Sequence, residues 1–154
     1  MIEHWIRYDL DGESAQLQFG ARLARALGRR PGIIHLRGEL GAGKTTLVRG
    51  LLRELGHAGS VRSPTYTLIE PYEELDPPVV HLDLYRLGDP DELEYLGLRD
   101  LLGGYGLLLV EWPERGAGAL PPPDLEVRIE HAGVARRLAI GAAPHWLGLL
   151  AALD

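Results

Sequence analysis

The chain contains no cysteine among its 154 residues. Without thiols it can form neither a disulfide nor a thiolate metal site, and this absence fits a reducing compartment. Its first residues carry no signal-peptide pattern, and no apolar run approaches the length that spans a membrane. We therefore expect a cytoplasmic protein that has no contact with membranes.

The chain also has no excess of basic residues, because its formal net charge is −6. An acidic chain is poorly suited to bind nucleic acid on its own. Asparagine is absent and methionine occurs once, whereas Arg, Ala, Leu, Gly and Pro are abundant. A heat-adapted host and codon bias both explain that composition. The length and the apolar fraction of 45% predict a single domain, residues 1–154, with a substantial core.

Lysine occurs only once, as Lys44, and the other fifteen of the sixteen basic residues are arginines. The single lysine falls inside residues 38–45, GELGAGKT, which match the phosphate-binding pattern G-x-x-x-x-G-K-[ST] without a mismatch. In such a loop lysine acts as a compact point charge, a role that the bulky, planar guanidinium of arginine does not fill. The position of the lysine therefore supports the motif independently.

The flanks of this loop have the periodicity that a phosphate-binding loop requires. A β-branched run at 33–37 precedes it and predicts a strand. Apolar residues at helical spacing follow it up to Gly56, which is predicted to end the helix because of its residue type. Inward-turned amides and a helix N-terminus bind polyphosphate, Lys44 should reach the β and γ phosphates, and the Thr45 hydroxyl should bind Mg²⁺. The alternative is a plain glycine turn between a strand and a helix.

The remaining chain alternates between strand and helix patterns, which predicts an α/β fold with a mostly parallel central sheet and an antiparallel C-terminal hairpin. We expect a three-layer domain like that of P-loop NTPases, with its ligand at the carboxyl ends of the strands. The predicted strands are 4–10 and 66–72 at sheet edges, 79–85 and 106–111; the helices are 11–27, 89 to about 102, and 146–153; the hairpin pairs 125–130 with 135–140.

Two carboxylates end predicted strands near the loop. Glu111 closes the most apolar strand, as in a Walker B strand, and should hold Mg²⁺ directly or through water, or polarise the attacking water. Its alternative is a carboxylate that faces solvent. Asp83 should orient water or metal near the γ-phosphate, or else pair with Arg86. His81, on the same strand face, is expected to be packed or hydrogen-bonded, because no His/Cys cluster accompanies it.

Three further residues have two interpretations each. Ser63 and Thr65 flank Pro64 in the segment after the phosphate helix, where some GTPases and ATPases carry a switch hydroxyl that senses Mg²⁺ and the γ-phosphate. A turn stabilised by these hydroxyls is the alternative. Trp112 could stack on a base or a partner, or could belong to the core.

Four motifs together resemble the TsaE (YjeE) ATPases. Their order and spacing and the total length also match, so the resemblance spans nearly the whole chain. The motifs are GELGAGKTT at 38–46, SPTY at 63–66, HLDLYR at 81–86 and EWPE at 111–114. Two departures are Glu39, where relatives usually have Asp, and Gln16, where they often have Thr. The second departure concerns the nucleoside contact from the first helix and leaves the phosphate site unaffected.

The resemblance implies a bacterial, cytoplasmic, Mg²⁺-dependent ATPase that supports threonylcarbamoylation of adenosine 37 in tRNAs reading ANN codons. Its implied partner is the TsaB–TsaD heterodimer, which ATP hydrolysis resets between turnovers, and tRNA is met only through that complex. The implied catalytic residues are Lys44, Asp83, Glu111 and Thr65; the Mg²⁺ ligands are Thr45 and Glu111; the nucleotide-binding residues are Glu13, Gly38, Leu40, Gly41, Ala42, Gly43, Lys44, Thr45, Thr46 and Arg136.

Other functions remain open for a phosphate loop. The sequence argues against a GTPase, because guanine readout by an N-K-x-D motif needs an asparagine and a second lysine, and the chain has neither. A small-molecule kinase would need an arginine-rich lid, for which only Arg115 in a short loop is available. A module that binds nucleotide without hydrolysing it is the third alternative.

Overall fold

The computed structural model describes residues 2–61, 64, 68–95, 97, 100 and 106–153. Within them, one sheet is built from seven strands: β1 (His4–Leu10), β2 (Gly32–Arg37), β3 (Ile69–Tyr72), β4 (Val79–Asp83), β5 (Leu107–Glu111), β6 (Leu125–Ala132) and β7 (Ala135–Ala142). The α-helices are α1 (Gly12–Leu27), α2 (Lys44–Glu54), α3 (Glu92–Tyr95) and α4 (Leu147–Ala152), and short 3₁₀ turns lie at Pro113–Gly116 and Pro144–Trp146.

The strand order is β1-β7-β6-β2-β5-β4-β3. The four central strands, β6-β2-β5-β4, pair in parallel, whereas β1 with β7, β6 with β7 and β3 with β4 pair antiparallel. The sheet is therefore mixed, and the prediction of a mostly parallel sheet holds only for its centre. The connections explain the difference, because a parallel pair needs a crossover of a dozen or more residues and those between β3 and β4 and between β6 and β7 are shorter.

Most predicted elements are present where the sequence placed them, including β1 and β3 at the two edges of the sheet. The helix predicted from 89 is present, but its helical residues begin at Glu92; before them, a carboxylate oxygen of Asp89 accepts the backbone N–H of Asp91 at 2.9 Å. Its described helical part is α3, and the predicted end near 102 lies outside the described residues. Residues 66 and 67 of the predicted edge strand also lie outside them.

Hydrophobic side chains fill both faces of the sheet. The larger core packs α1, α2 and α4 against the face that carries Ile34, Leu36 and Leu109. The smaller core, on the opposite face, packs Leu93 of α3 against Leu108 and neighbouring residues. Successive residues of a strand point to opposite faces, so the unbroken apolar run of β5 is explained by burial on both sides. No helix among the described residues is long and apolar enough to cross a membrane.

Two glycines bring α1 and α2 into close contact. A Cβ atom at Gly20 would lie 2.3 Å from the carbonyl oxygen of Leu47, and one at Gly50 would lie 2.2 Å from that of Leu17. Both distances are far below van der Waals contact, so this packing requires glycine at both positions. The close contact holds the start of α2 at the carboxyl end of β2, where parallel strands of such sheets present their ligand sites.

Candidate nucleotide-binding site

The loop between β2 and α2 carries three glycines with positive φ: Gly38 (156°), Gly41 (77°) and Gly43 (113°). L-residues with a side chain rarely adopt these angles, and here they turn the backbone into a concave path that ends at the first turn of α2. The N-cap residue, Gly43, provides no side-chain hydrogen bond to that turn. The first N–H groups of the helix and the positive end of its dipole are therefore available to an anion.

The first helix supports this loop through Gln16, which is buried. A Cβ atom at position 43 would lie 2.1 Å from Oε1 of Gln16, so glycine at this position meets both a conformational and a steric requirement. Gln16 is one of the two positions at which the chain departs from the family pattern. The side chain found there lies directly behind the phosphate loop.

Lys44 is the buried cation of the site, with 5% of its surface exposed. Its ammonium donates a hydrogen bond to the carbonyl of Gly38, and its nitrogen lies 3.8 Å from the ring centroid of Trp112. Burial lowers the pKa of Lys44, and the negative charges of Glu111, Asp83 and Glu114 oppose that effect. The ammonium is thus partly desolvated beside a ring and three acids.

The two predicted acids face each other across neighbouring strands, because Asp83 of β4 is in register with Glu111 of β5. Both are buried, at 3% and 2% exposure, so the alternative of a solvent-facing Glu111 is excluded. The Thr45 hydroxyl lies 3.3 Å and 3.5 Å from the two carboxylate oxygens of Glu111. An oxygen of Asp83 accepts the backbone N–H of Tyr85 at 3.0 Å.

These side chains border one cavity of about 300 Å³ at the carboxyl ends of β2, β4 and β5, a volume suited to a small-molecule ligand. Its position agrees with the strand-end site predicted for the fold. Its lining consists of Leu40, Gly41, Gly43, Lys44, Thr45, Thr46, Asp83, Tyr85, Glu111 and Trp112.

The donor atoms in this cavity fit a hard divalent cation. Thr45, Asp83 and Glu111 offer oxygen atoms, which Mg²⁺ prefers. Among the described residues no group of three or more His, Cys, Asp or Glu side chains is arranged to hold a metal by itself. A cation here would therefore need further oxygens from phosphate or water, which is how Mg²⁺ is usually bound in nucleotide sites.

Two residues predicted from the resemblance lie at different distances from the loop. Arg136 of β7 donates from Nε to the carbonyl of Ala42 at 3.1 Å and from Nη2 to that of Gly41 at 3.5 Å. Glu13 is exposed, lies 3.5 Å from Arg49 of α2, and is not among the residues that line the cavity. Thr65 and Ser63 lie outside the described residues.

A second cavity of about 420 Å³ adjoins the loop on the side of the β6–β7 hairpin, and Gly38 belongs to its lining. Its other lining residues are Glu39, Ile129, Glu130 and His131. This cavity is larger than the first, but its lining has neither the lysine nor the threonine hydroxyl that phosphate and Mg²⁺ require. The first cavity is therefore the one that holds the side chains of the phosphate-binding motif.

Sequence reasoning missed how the aromatic residues at the site are arranged. The rings of Tyr85 and Trp112 lie 4.9 Å apart, and the guanidinium of Arg115 lies 5.3 Å from the first ring and 6.0 Å from the second. Trp112 reaches Lys44 because its backbone has φ 57° and ψ 49°, which breaks β5 after Glu111. The proline at 113 signalled the end of the strand, but the left-handed conformation could not be read from the sequence.

Sequence reasoning also missed the partner of His81, which was expected to be simply packed or hydrogen-bonded. Its Nε2 atom lies 2.6 Å from Oε2 of Glu111. His81 and Asp83 lie two residues apart on one strand face, and Asp83 is in register with Glu111. Their spacing was therefore a usable signal that His81 lies near the same acid. What the sequence did not show is that β4 and β5 are neighbours.

Comparisons with known proteins agree with one another. A family model described as "Threonylcarbamoyl adenosine biosynthesis protein TsaE" matches residues 10–139. A protein from Haemophilus influenzae named "tRNA threonylcarbamoyladenosine biosynthesis protein TsaE" is 44% identical over 132 residues, which cover 83% of this chain and 84% of that protein. One from Aquifex aeolicus with the same name is 40% identical over 125 residues, covering 80% and 78%.

A solved structure matches the fold as well. The crystal structure of YdiB from Bacillus subtilis superimposes with a TM-score of 0.82 at 28% sequence identity, and the match covers 99% of this chain and 95% of that one. The likeness therefore extends over all seven strands and includes the segment around the cavity.

Proposed function

This chain belongs to the TsaE family of threonylcarbamoyl adenosine biosynthesis proteins, and from that premise we propose that it is a Mg²⁺-dependent ATPase that supports tRNA modification. The observation that carries the proposal is the convergence of Lys44, Thr45 and Glu111 on one cavity. The ammonium of Lys44 and the hydroxyl of Thr45 lie at the start of α2, and the carboxylate of Glu111 lies at the end of β5. Groups of these three kinds bind and activate a metal-bound polyphosphate. Around this site we propose a single three-layer, P-loop NTPase-like domain, residues 1–154, in the cytoplasm.

The proposed reaction is the transfer of the γ-phosphoryl group of ATP to water. The oxygen of a water molecule bonds to the γ-phosphorus, the bond from that phosphorus to the β–γ bridging oxygen breaks, and ADP and phosphate leave as the water loses a proton to the solvent. A Mg²⁺ ion in the site would neutralise part of the phosphate charge. Thr45 and Glu111 would hold that ion.

The residues of this chain have separable roles in the proposed reaction. Lys44 would stabilise the charge that develops on the phosphate oxygens, since it is the positive group inside the cavity. Asp83 lies opposite Glu111 and would orient the attacking water, and Thr65 would tune the reaction as a switch hydroxyl. We extend the nucleotide-binding role to Arg136 and Glu13. The hydrogen bonds of Arg136 to the loop carbonyls support its role more directly than any contact of Glu13 does.

We further propose that ATP turnover serves threonylcarbamoylation of adenosine 37 in tRNAs that read ANN codons, through action on a TsaB–TsaD heterodimer. The names of the relatives support this pathway. The net charge of −6 supports contact with tRNA only through the partner complex, because the backbone of RNA repels an acidic protein.

Phosphate release from ATP, measured in Mg²⁺ with and without a purified TsaB–TsaD heterodimer, tests the proposal. We expect the variants Lys44→Ala and Glu111→Ala to lose roughly a hundredfold or more in rate while keeping their circular dichroism. Arg53→Ala, which removes an exposed charge at the far end of the same helix, is the matched control and should keep full activity. Unchanged hydrolysis in either site variant would refute the role of that residue.

The same assay separates the two alternatives. A small-molecule kinase would transfer the label of γ-labelled ATP to an acceptor other than water. A module that only binds nucleotide would retain ATP tightly and release no phosphate, even beside the heterodimer.

A further inference from the structure

The side chain of His81 forms a buried contact with the acid of the site. Its Nε2 atom lies 2.6 Å from Oε2 of Glu111, and the two side chains are 0% and 3% exposed. The other ring nitrogen, Nδ1, is buried and has no hydrogen-bond partner among the described residues. His81 is not among the residues that line the cavity, so any influence it has on a ligand must pass through Glu111.

The partners of the ring determine which nitrogen carries the proton. A carboxylate only accepts hydrogen bonds, so the proton of the contact belongs to Nε2, which donates to Glu111. A proton on Nδ1 would be a buried donor without an acceptor, and such orphaned N–H groups are costly. The geometry therefore favours His81 as a hydrogen-bond donor to Glu111 through Nε2.

The contact leaves the two oxygens of Glu111 in different situations. Oε2 accepts the short bond from His81 and lies 3.3 Å from the hydroxyl of Thr45, whereas within the described part of the chain Oε1 has only the 3.5 Å contact with that hydroxyl. A fixed hydrogen bond to one oxygen fixes the plane of the carboxylate and keeps the other oxygen free for the cavity.

We propose that His81 is a positioning residue: by donating to Oε2 it holds the Glu111 carboxylate so that Oε1 remains available to a Mg²⁺ ion beside Thr45. The inference rests on the proposed function, because it takes Glu111 as a ligand of that ion. Side chains that hydrogen-bond to the ligands of a metal ion orient those ligands, and their removal typically weakens metal affinity by about 10- to 100-fold.

The affinity of the chain for ATP, measured by calorimetry in Mg²⁺ and again in EDTA, tests this role without relying on turnover. We expect His81→Leu to reduce the Mg²⁺-dependent gain in ATP affinity about tenfold or more, and to leave the affinity in EDTA unchanged. His81→Gln should restore the gain, because the glutamine amide can donate from nearly the position of Nε2. Should the leucine variant fail to fold, His81→Asn, whose amide is too short to reach Glu111, replaces it.

The matched control is His35→Leu, which removes another buried histidine from a strand beside β5. Among the residues that the structure describes, both ring nitrogens of His35 lack hydrogen-bond partners, and the residue does not line the cavity. We expect its Mg²⁺-dependent gain to equal that of the unaltered chain. A full gain in His81→Leu or its replacement His81→Asn, an equal loss of affinity in Mg²⁺ and in EDTA, no recovery in His81→Gln, or the same loss in the His35 variant would overturn the positioning role.

The design also separates this inference from the proposed function. If the unaltered chain binds ATP no better in Mg²⁺ than in EDTA, or if Lys44→Ala binds ATP normally, the proposed function fails and takes the inference with it. If Lys44 and Glu111 behave as proposed and His81→Leu or His81→Asn keeps the full gain, the inference alone fails.

Discussion

The ammonium nitrogen of Lys44 lies 3.8 Å from the ring centroid of Trp112, so the phosphate loop and the end of β5 touch through a cation and an aromatic face. Contacts of this kind stabilise by roughly 0.5–2 kcal/mol, more when the cation is desolvated, as this buried lysine is. Trp112 follows Glu111 directly in the chain, so the same turn of backbone presents the acid and the ring to the site. A phosphate group that attracts Lys44 competes with this ring.

Binding of ATP should therefore change the fluorescence of Trp112. The chain has three tryptophans, and the other two lie away from the cavity, in β1 and in the 3₁₀ turn before α4. We expect titration with ATP to alter the emission of the unaltered chain and of Trp5→Phe, and to leave that of Trp112→Phe unchanged. A signal of full size in Trp112→Phe would show that Lys44 and the indole ring are not linked to binding.

Alanine at position 43 should damage both the stability of the loop and its ability to bind ATP. A side chain at φ 113° costs about 1–3 kcal/mol, and the new Cβ would also press on Oε1 of Gln16. We expect a lower midpoint of urea unfolding and at least a tenfold loss of ATP affinity. Adding Gln16→Ala should recover the steric part of the loss but leave the backbone strain.

The control for this substitution is Gly133→Ala in the β6–β7 hairpin. Gly133 also has positive φ, 65°, but a Cβ there would meet no atom within 4 Å. We expect some loss of stability and normal ATP affinity. If Gly43→Ala binds ATP as well as this control does, the loop geometry described above does not form the binding site.

Removal of Arg136 should loosen the phosphate loop from the side of the hairpin. Its hydrogen bonds to the carbonyls of Ala42 and Gly41 hold the loop from outside, and a charge-assisted bond of this kind contributes about 1.5–3 kcal/mol when shielded and less when partly exposed. We expect Arg136→Leu to weaken ATP binding by about fivefold to tenfold in calorimetry.

Its neighbour Arg137 offers a matched control, since it lies in the same strand, is exposed, and only approaches Asp9 at 3.6 Å. Arg137→Leu removes the same charge from the hairpin without touching the loop. Equal losses of affinity in the two variants would mean that overall charge, and not the contact with the loop, explains the effect.

His35 should make the fold sensitive to acid. Its pKa is lowered from 6.5 to about 4; burial is the main cause, the charge of Arg37 also lowers it, and Glu126 opposes the shift. Between these values the unfolded chain binds a proton that the folded chain does not, so the free energy of unfolding falls as the pH drops from about 6.5 to about 4. The full effect is about 3 kcal/mol at most.

Urea unfolding at pH 7.5 and at pH 5 measures this contribution. We expect His35→Leu to lose less stability between the two values than the unaltered chain does, because the leucine cannot take up a proton. If both chains lose the same amount, other groups account for the acid sensitivity. Above pH 7 the titration of His35 has no effect on the difference in the free energy of unfolding between the unaltered chain and His35→Leu.

A feature could be predicted from the sequence when a few neighbouring residues determine it. The strand–loop–helix at 33–55 was predictable because glycine, helical periodicity and a strand pattern act over a few neighbouring residues. The antiparallel pairing of β1 and β3 at the edges of the sheet was not predictable, because it depends on which strand each of them pairs with. Strand ends and strand types can be read along the chain, whereas strand order is decided by packing.

The sequence by itself determined the phosphate loop, the acids at 83 and 111 and the family to which they point, because those residues carry their chemistry in their type and spacing. Only the tertiary structure decided that Glu111 lies against Thr45 and His81, that Trp112 covers Lys44, and that Arg136 supports the loop. The physical reason is that each of these contacts joins elements from distant parts of the chain. Their meeting depends on the order of strands in the sheet and on the burial that this order creates.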